Sequence, residues 1–165
     1  MYLLKRYVPE DDISGLYSFV FDEHLLIKMP GQPIIHSKNE FRDWLVRQLH
    51  GFYHDLYLLY DKQLVKGYLL SFDYRVYDGH CQIYGCWNSG INYDPLRLFI
   101  DRLCSEYPLR KIFLKITGKE SVLMQSAKEV GFVEEACLKE YKYIEGQFVN
   151  MHVLSYLIRS NDDGI

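Results

Sequence analysis

The sequence predicts a mixed α/β (α+β) domain, with strands and helices interleaved along 165 residues. Three observations carry this. Apolar residues recur at helical spacing in four separate segments. The stretches between them are short extended runs rich in aromatic and branched residues, which suit pleated, half-buried strands. Glycine, proline and aspartate cluster at the breaks, where turns need them. No repeat, low-complexity tract or linker interrupts the pattern, so residues 1–165 read as one domain, long enough to bury a sizeable core.

Taken in order, Tyr2–Val8 is a first strand, and the acidic Asp11-Asp12 then supplies a cap for a helix bearing Ile13, Leu16, Tyr17 and Val20. Residues 23–36 contain Pro30, Gly31 and Pro33 without a sustained period and read as a loop. Ser37 and Glu40 have capping-box spacing, and the helix behind them carries Phe41, Trp44, Leu45 and Leu49 before Gly51 ends it. Strand-like runs follow at Asp55–Tyr60 and Leu64–Phe72, and Asp78-Gly79 marks another turn, with Tyr74–Tyr77 before it and the strand Cys81–Trp87 after it. Asp94-Pro95 opens a helix with Leu96, Phe99, Ile100 and Leu103 on one stripe. Lys111–Thr117 is a short apolar strand. Glu120–Val130 is a last helix, stopped by Gly131, because glycine enters the left-handed region without steric cost. Val133–Ile144 and Gln147–Ile158 form a hairpin around Glu145-Gly146.

Composition excludes several classes. A net charge of −3 with scattered Lys and Arg gives no basic patch for nucleic acid. The 15 Tyr and 9 Phe point first to cross-strand packing. Cys81, Cys86, Cys104 and Cys137 form no Cys-x-x-Cys pair and read as reduced thiols, and Cys86 has no His-plus-acid pattern to make it a nucleophile. The N-terminus lacks the apolar core of an export signal, and no apolar run approaches bilayer length. A cytoplasmic protein is expected. His50 and His54 have metal-like spacing, but Gly51 breaks the helix between them, and no metal is expected.

The last third resembles the C-terminal half of the GCN5-related N-acetyltransferase superfamily. It is nearest the branch of ribosomal-protein N-terminal and amino-sugar N-acetyltransferases. The residues that carry the likeness are Gly131-Phe132 after a helix, Glu135 and Leu138-Lys139 on the next strand, and the turn glycine Gly146. Lys66-Gly67-Tyr68 falls where the family's third strand carries a hydrophobic-Gly pair, and the element order matches along nearly the whole chain. The resemblance implies a central mixed, mostly antiparallel sheet flanked by helices, with the fourth and fifth strands splayed apart. It also implies acetyl-CoA as co-substrate, with pantetheine along the fourth strand and pyrophosphate at the loop that follows. That assigns the cofactor to Cys86, Trp87, Asn88, Ser89, Gly90, Ile91, Asn92, Tyr93 and Arg97.

Acetyl transfer needs a deprotonated amine, a polarised thioester carbonyl, a protonated or stabilised thiolate and an amide cradle for pyrophosphate. By the resemblance, Tyr84 is placed to reach the amine, although it also reads as a sheet-packing aromatic. Glu120 stands where the branch often has Asn; it is a candidate base, or a first-turn acid that complements the helix dipole. Ala127 occupies the position where many members carry a Tyr acid, and Gly90 is the one glycine retained in the phosphate loop. Substrate contacts fall, by the same likeness, on His24, Lys28 and Met29 in the first loop and on Tyr141 and Tyr143 of the hairpin. The expected activity is direct acetyl transfer to a primary amine of a small molecule, amino sugar or protein N-terminus. The alternative is a non-catalytic ligand-binding or interaction module of the same fold. A free hairpin edge leaves room for a homodimer.

Overall fold

The computed structural model describes residues 2–20, 37–88, 95–118 and 120–158. Its elements are β1 (Tyr2–Arg6), a 3-10 turn (Ser14–Leu16) running into α1 (Tyr17–Val20), α2 (Lys38–Leu49), β2 (Tyr53–Asp61), β3 (Leu64–Arg75), β4 (His80–Trp87), α3 (Pro95–Glu106), β5 (Lys111–Thr117), α4 (Ser121–Val130), β6 (Val133–Ile144) and β7 (Gln147–Leu157). The strands form one seven-stranded sheet in the order β1-β2-β3-β4-β5-β7-β6. It is mixed: β1–β2, β2–β3, β5–β7 and β6–β7 are antiparallel, while β4 and β5 run parallel. That is the sheet the sequence implied.

Local chemistry explains most boundaries. The Ser37 hydroxyl accepts from the Glu40 amide at 3.2 Å, satisfying one of the orphan donors that open α2. At the far end of α4, Gly131 sits at φ 107°. Its N–H reaches the Ala127 and Lys128 carbonyls while the Phe132 N–H returns to Ala127 at 2.9 Å, closing the last turn. In the β6–β7 hairpin both turn residues, Glu145 and Gly146, have positive φ (50° and 82°), the geometry whose twist matches the flanking strands. One expectation is corrected. The third strand does not end at Phe72, because β3 continues through Asp73 to Arg75. Asp73 adopts φ 50° within the strand, and its carboxylate accepts from the Gln82 side-chain amide at 2.7 Å.

The chain divides into two compact units, Met1–Phe72 with Tyr84–Pro95 and Asp73–Ile83 with Leu96–Ile165. In the first, Phe41 and Leu45 of α2 lie buried in one cluster with Leu16, Leu56, Leu58, Tyr68 and Leu70. Each fully buried side chain of this kind contributes about 1.5–3 kcal/mol of apolar transfer. Trp44, Phe41, Tyr53 and Phe72 meet ring to ring at 5.8–6.5 Å. Asp55 is buried here, but Arg6 and the Ser71 hydroxyl both donate to its carboxylate, which offsets its desolvation. In the second unit α3 buries Leu96, Phe99, Ile100 and Leu103, β5 buries Ile112, Leu114 and Ile116, and α4 buries Leu123, Ala127 and Val130.

Candidate functional site

β4 is the element on which the site expectations converge, and its two halves have different neighbours. His80 to Ile83 pair in parallel with Lys111 to Leu114, and the ladder ends at Ile83↔Leu114. Tyr84–Trp87 continue as strand beyond that last rung. These four residues belong to the first unit, where β3 holds them closely. A Cβ on Gly67 would come within 2.4 Å of the Trp87 Cβ and 2.5 Å of the Cys86 carbonyl oxygen. A Cβ on Gly85 would meet the Tyr68 carbonyl oxygen at 2.9 Å. Two glycines, one on each strand, therefore permit this approach, and Asn88 prolongs it by donating its N–H to the Lys66 carbonyl at 3.2 Å. Gly67 lay within the motif behind the resemblance; the role of Gly85 had no sequence signal beyond being a glycine in a strand.

Within that segment Trp87 is buried, whereas Tyr84 and Cys86 are half-buried and pack on the same apolar cluster as α2. The Tyr84 and Tyr68 rings meet tilted at 43°, with centroids 6.3 Å apart. Tyr84 thus has both the packing contact and partial exposure. Asn88 is exposed. Ser89, Gly90, Ile91, Asn92 and Tyr93 lie outside the described residues, as do His24, Lys28 and Met29.

In the second unit, Glu120 precedes α4 and turns its carboxylate back onto the end of β5. Oε2 accepts from the Thr117 amide at 2.5 Å and from the Thr117 hydroxyl at 3.0 Å. These bonds close the β5–α4 turn, so Thr117 belongs to the Glu120 environment although the sequence reading passed over it. Arg97, one turn into α3, donates to the Val130 carbonyl at 3.2 Å. A guanidinium there satisfies an orphan carbonyl and complements the negative end of α4. Tyr141 and Tyr143 are both strongly exposed on β6. On the same strand the Lys111 ammonium, 2.5 Å away, and the Ser155 hydroxyl hold the Glu135 carboxyl below its ordinary range.

No protein-family model matches this sequence, and no curated protein matches it. Solved structures do. A ribosomal-protein alanine acetyltransferase from Vibrio fischeri superposes at a TM-score of 0.74 with 18% identity, over 98% of this chain and 94% of that one. The ribosomal-protein alpha-N-acetyltransferase RimL, solved with coenzyme A, gives 0.74 at 14% identity over 95% and 94%. A dodecameric spermidine N-acetyltransferase from Vibrio cholerae gives 0.70 at 16% identity over 94% and 93%. At such identities the likeness shows the fold. This chain has the GCN5-related N-acetyltransferase fold.

Proposed function

We propose that the protein transfers an acetyl group from acetyl-CoA to a primary amine, by direct attack of the amine on the thioester. The observation that carries this reading is the end of the β4–β5 ladder at Ile83↔Leu114, with four strand residues of β4 continuing beyond it. Pantetheine is an extended chain with amide groups, and such a chain docks on strand backbone as an added strand does. In this reading it lies along Tyr84–Trp87, and Asn88, Ser89, Gly90, Ile91, Asn92, Tyr93 and Arg97 border the phosphates. Acetyl-CoA supplies the activated acyl group and the thiolate leaving group.

The chain's own contributions follow from the chemistry. A fixed main-chain N–H near Cys86 and Trp87 polarises the thioester carbonyl; donors of this kind are worth about 2.7–4 kcal/mol when aimed at a developing oxyanion. Tyr84 positions the amine. Glu120 accepts its proton, directly or through water, while Thr117 holds the carboxylate oriented. His24, Lys28, Met29, Tyr141 and Tyr143 contact the acceptor. Structurally similar proteins whose names specify spermidine and ribosomal-protein termini support an amine acceptor. β6 is an outer strand of the sheet, and we include a homo-oligomer through that edge in the reading, to be tested by sedimentation.

Calorimetric titration with acetyl-CoA is the decisive experiment. Saturable binding is expected, together with release of free thiol when polyamines and N-terminal peptides are added as acceptors. Absence of heat at millimolar acetyl-CoA would remove the transferase reading and leave the non-catalytic module. Given activity, Glu120→Gln separates base from clamp: a base predicts a lost acidic limb in the pH–rate profile, a clamp an unchanged profile.

A further inference from the structure

The β6–β7 hairpin brings together Glu134, Cys137 and His152, with one ligand atom of each lying within 4.8 Å of the others. Nothing in the proposed acetyl transfer uses them. Their proximity is a product of register. Cys137 faces His152 directly across the antiparallel pair, and directly opposed residues share a face. Glu134 is three residues from Cys137, a spacing that puts two side chains on opposite faces of a regular strand. Here, however, Glu134 is opposite Leu154 and Ala136 opposite Val153, so Glu135 is an extra residue and the alternation resets. Since Leu154 and His152 lie two apart on β7, the bulge returns Glu134 to the face of Cys137 and His152.

We propose that Glu134, Cys137 and His152 form a binding site for a thiophilic divalent cation, zinc by preference. One thiolate, one imidazole and one carboxylate are the donor types zinc takes, and three protein ligands leave a coordination position for water. Tetrahedral bonds of about 2.0–2.3 Å place ligand atoms about 3.3–3.8 Å apart, so side-chain rotation of about an ångström draws the trio in. The pair Glu134–His152 is already close to that spacing, with His152 Nδ1 3.1 Å from Glu134 Oε2. Cys137 and Glu134 are exposed and His152 half-buried, which gives the ion a path from solvent. As the S–Zn bond forms, the Cys137 thiol proton passes to solvent. The bound ion ties β6 to β7 across the bulge.

The test uses the full-length, untagged chain stripped of metal by a chelator, titrated with Zn²⁺ and with Co²⁺ as a spectroscopic probe. One equivalent should bind, with a thiolate-to-cobalt charge-transfer band. Cys137→Ser should abolish that band, and His152→Ala should weaken binding at least about tenfold, a ligand being worth no less than an outer-shell partner. Cys104→Ser should change neither. Zinc should also slow alkylation of Cys137, mapped by peptide mass, without slowing that of Cys104. Saturation absent at sub-millimolar metal, or a charge-transfer band that survives Cys137→Ser, would overturn the assignment.

Discussion

β3 and β6 are both twelve-residue strands of one sheet, yet they are opposite kinds of surface. β3 buries six consecutive residues, Gly67–Phe72, and pairs with β2 along nearly its whole length. β6 exposes its first nine residues in a row and lies at the end of the strand order. Six consecutive buried residues mean that β3 is covered on both faces there, whereas nine consecutive exposed ones mean that neither face of β6 is. β6 answers its exposure with Glu134, Glu135, Lys139, Glu140 and Lys142, the charges that discourage edge-to-edge association. The lesson is a division of labour: β3 and β2 pack the core, and β6 offers its side chains to solvent.

Matched substitutions can break that contrast. The largest effect is expected for Leu70→Ala, at a fully buried β3 position, where loss of packing should cost about 2–5 kcal/mol in chemical denaturation. Gly67→Ala comes next. Its new Cβ has the Trp87 Cβ and the Cys86 carbonyl in its way, so overpacking should cost about 1–3 kcal/mol. Gly131→Ala sharpens the point, because a Cβ there meets only the Tyr156 ring edge at 3.8 Å. Its cost, about 1–2 kcal/mol, should come from the left-handed backbone alone and appear in thermal melts. On β6, Leu138→Ala should move the denaturation midpoint by no more than about 0.5 kcal/mol; a loss like that of Leu70→Ala would mean β6 is covered in solution.

The smallest effect is electrostatic. Glu135 has its carboxyl lowered from 4.5 by hydrogen bonding to Lys111 and then Ser155. A depressed folded-state value stabilises above the unfolded value and is lost as pH falls through the folded one. Wild type and Glu135→Gln should therefore differ by a constant amount above pH 4.5 and converge below it, as read from unfolding curves across acidic pH.

Much of this architecture is legible in the residues. Ser37 and Glu40 announce the start of α2, Pro95 the start of α3, and Glu145-Gly146 the hairpin, because these are preferences and contacts of near neighbours. The continuation of β3 through Asp73 was not legible: Asp73 is a poor strand former, and the Gln82 amide that meets its carboxylate lies nine residues away, beyond what local spacing reveals. The candidate site divides the same way. Cys86 and Trp87 could be placed on the fourth strand by the family likeness. The Thr117 clamp on Glu120 and the Arg97 bond to Val130 could not, since both are hydrogen bonds whose geometry depends on how a turn or a helix pair is set.

The sequence by itself determined where chain segments bend, stop and turn apolar faces inward, because those preferences act over one helical turn or one strand pleat. Tertiary structure alone decided which residues from different segments meet. The end of the β4–β5 ladder at Ile83 and the bulge that gathers Glu134, Cys137 and His152 on one face are consequences of register. Register is settled by the packing of whole strands, and no single strand's composition encodes it.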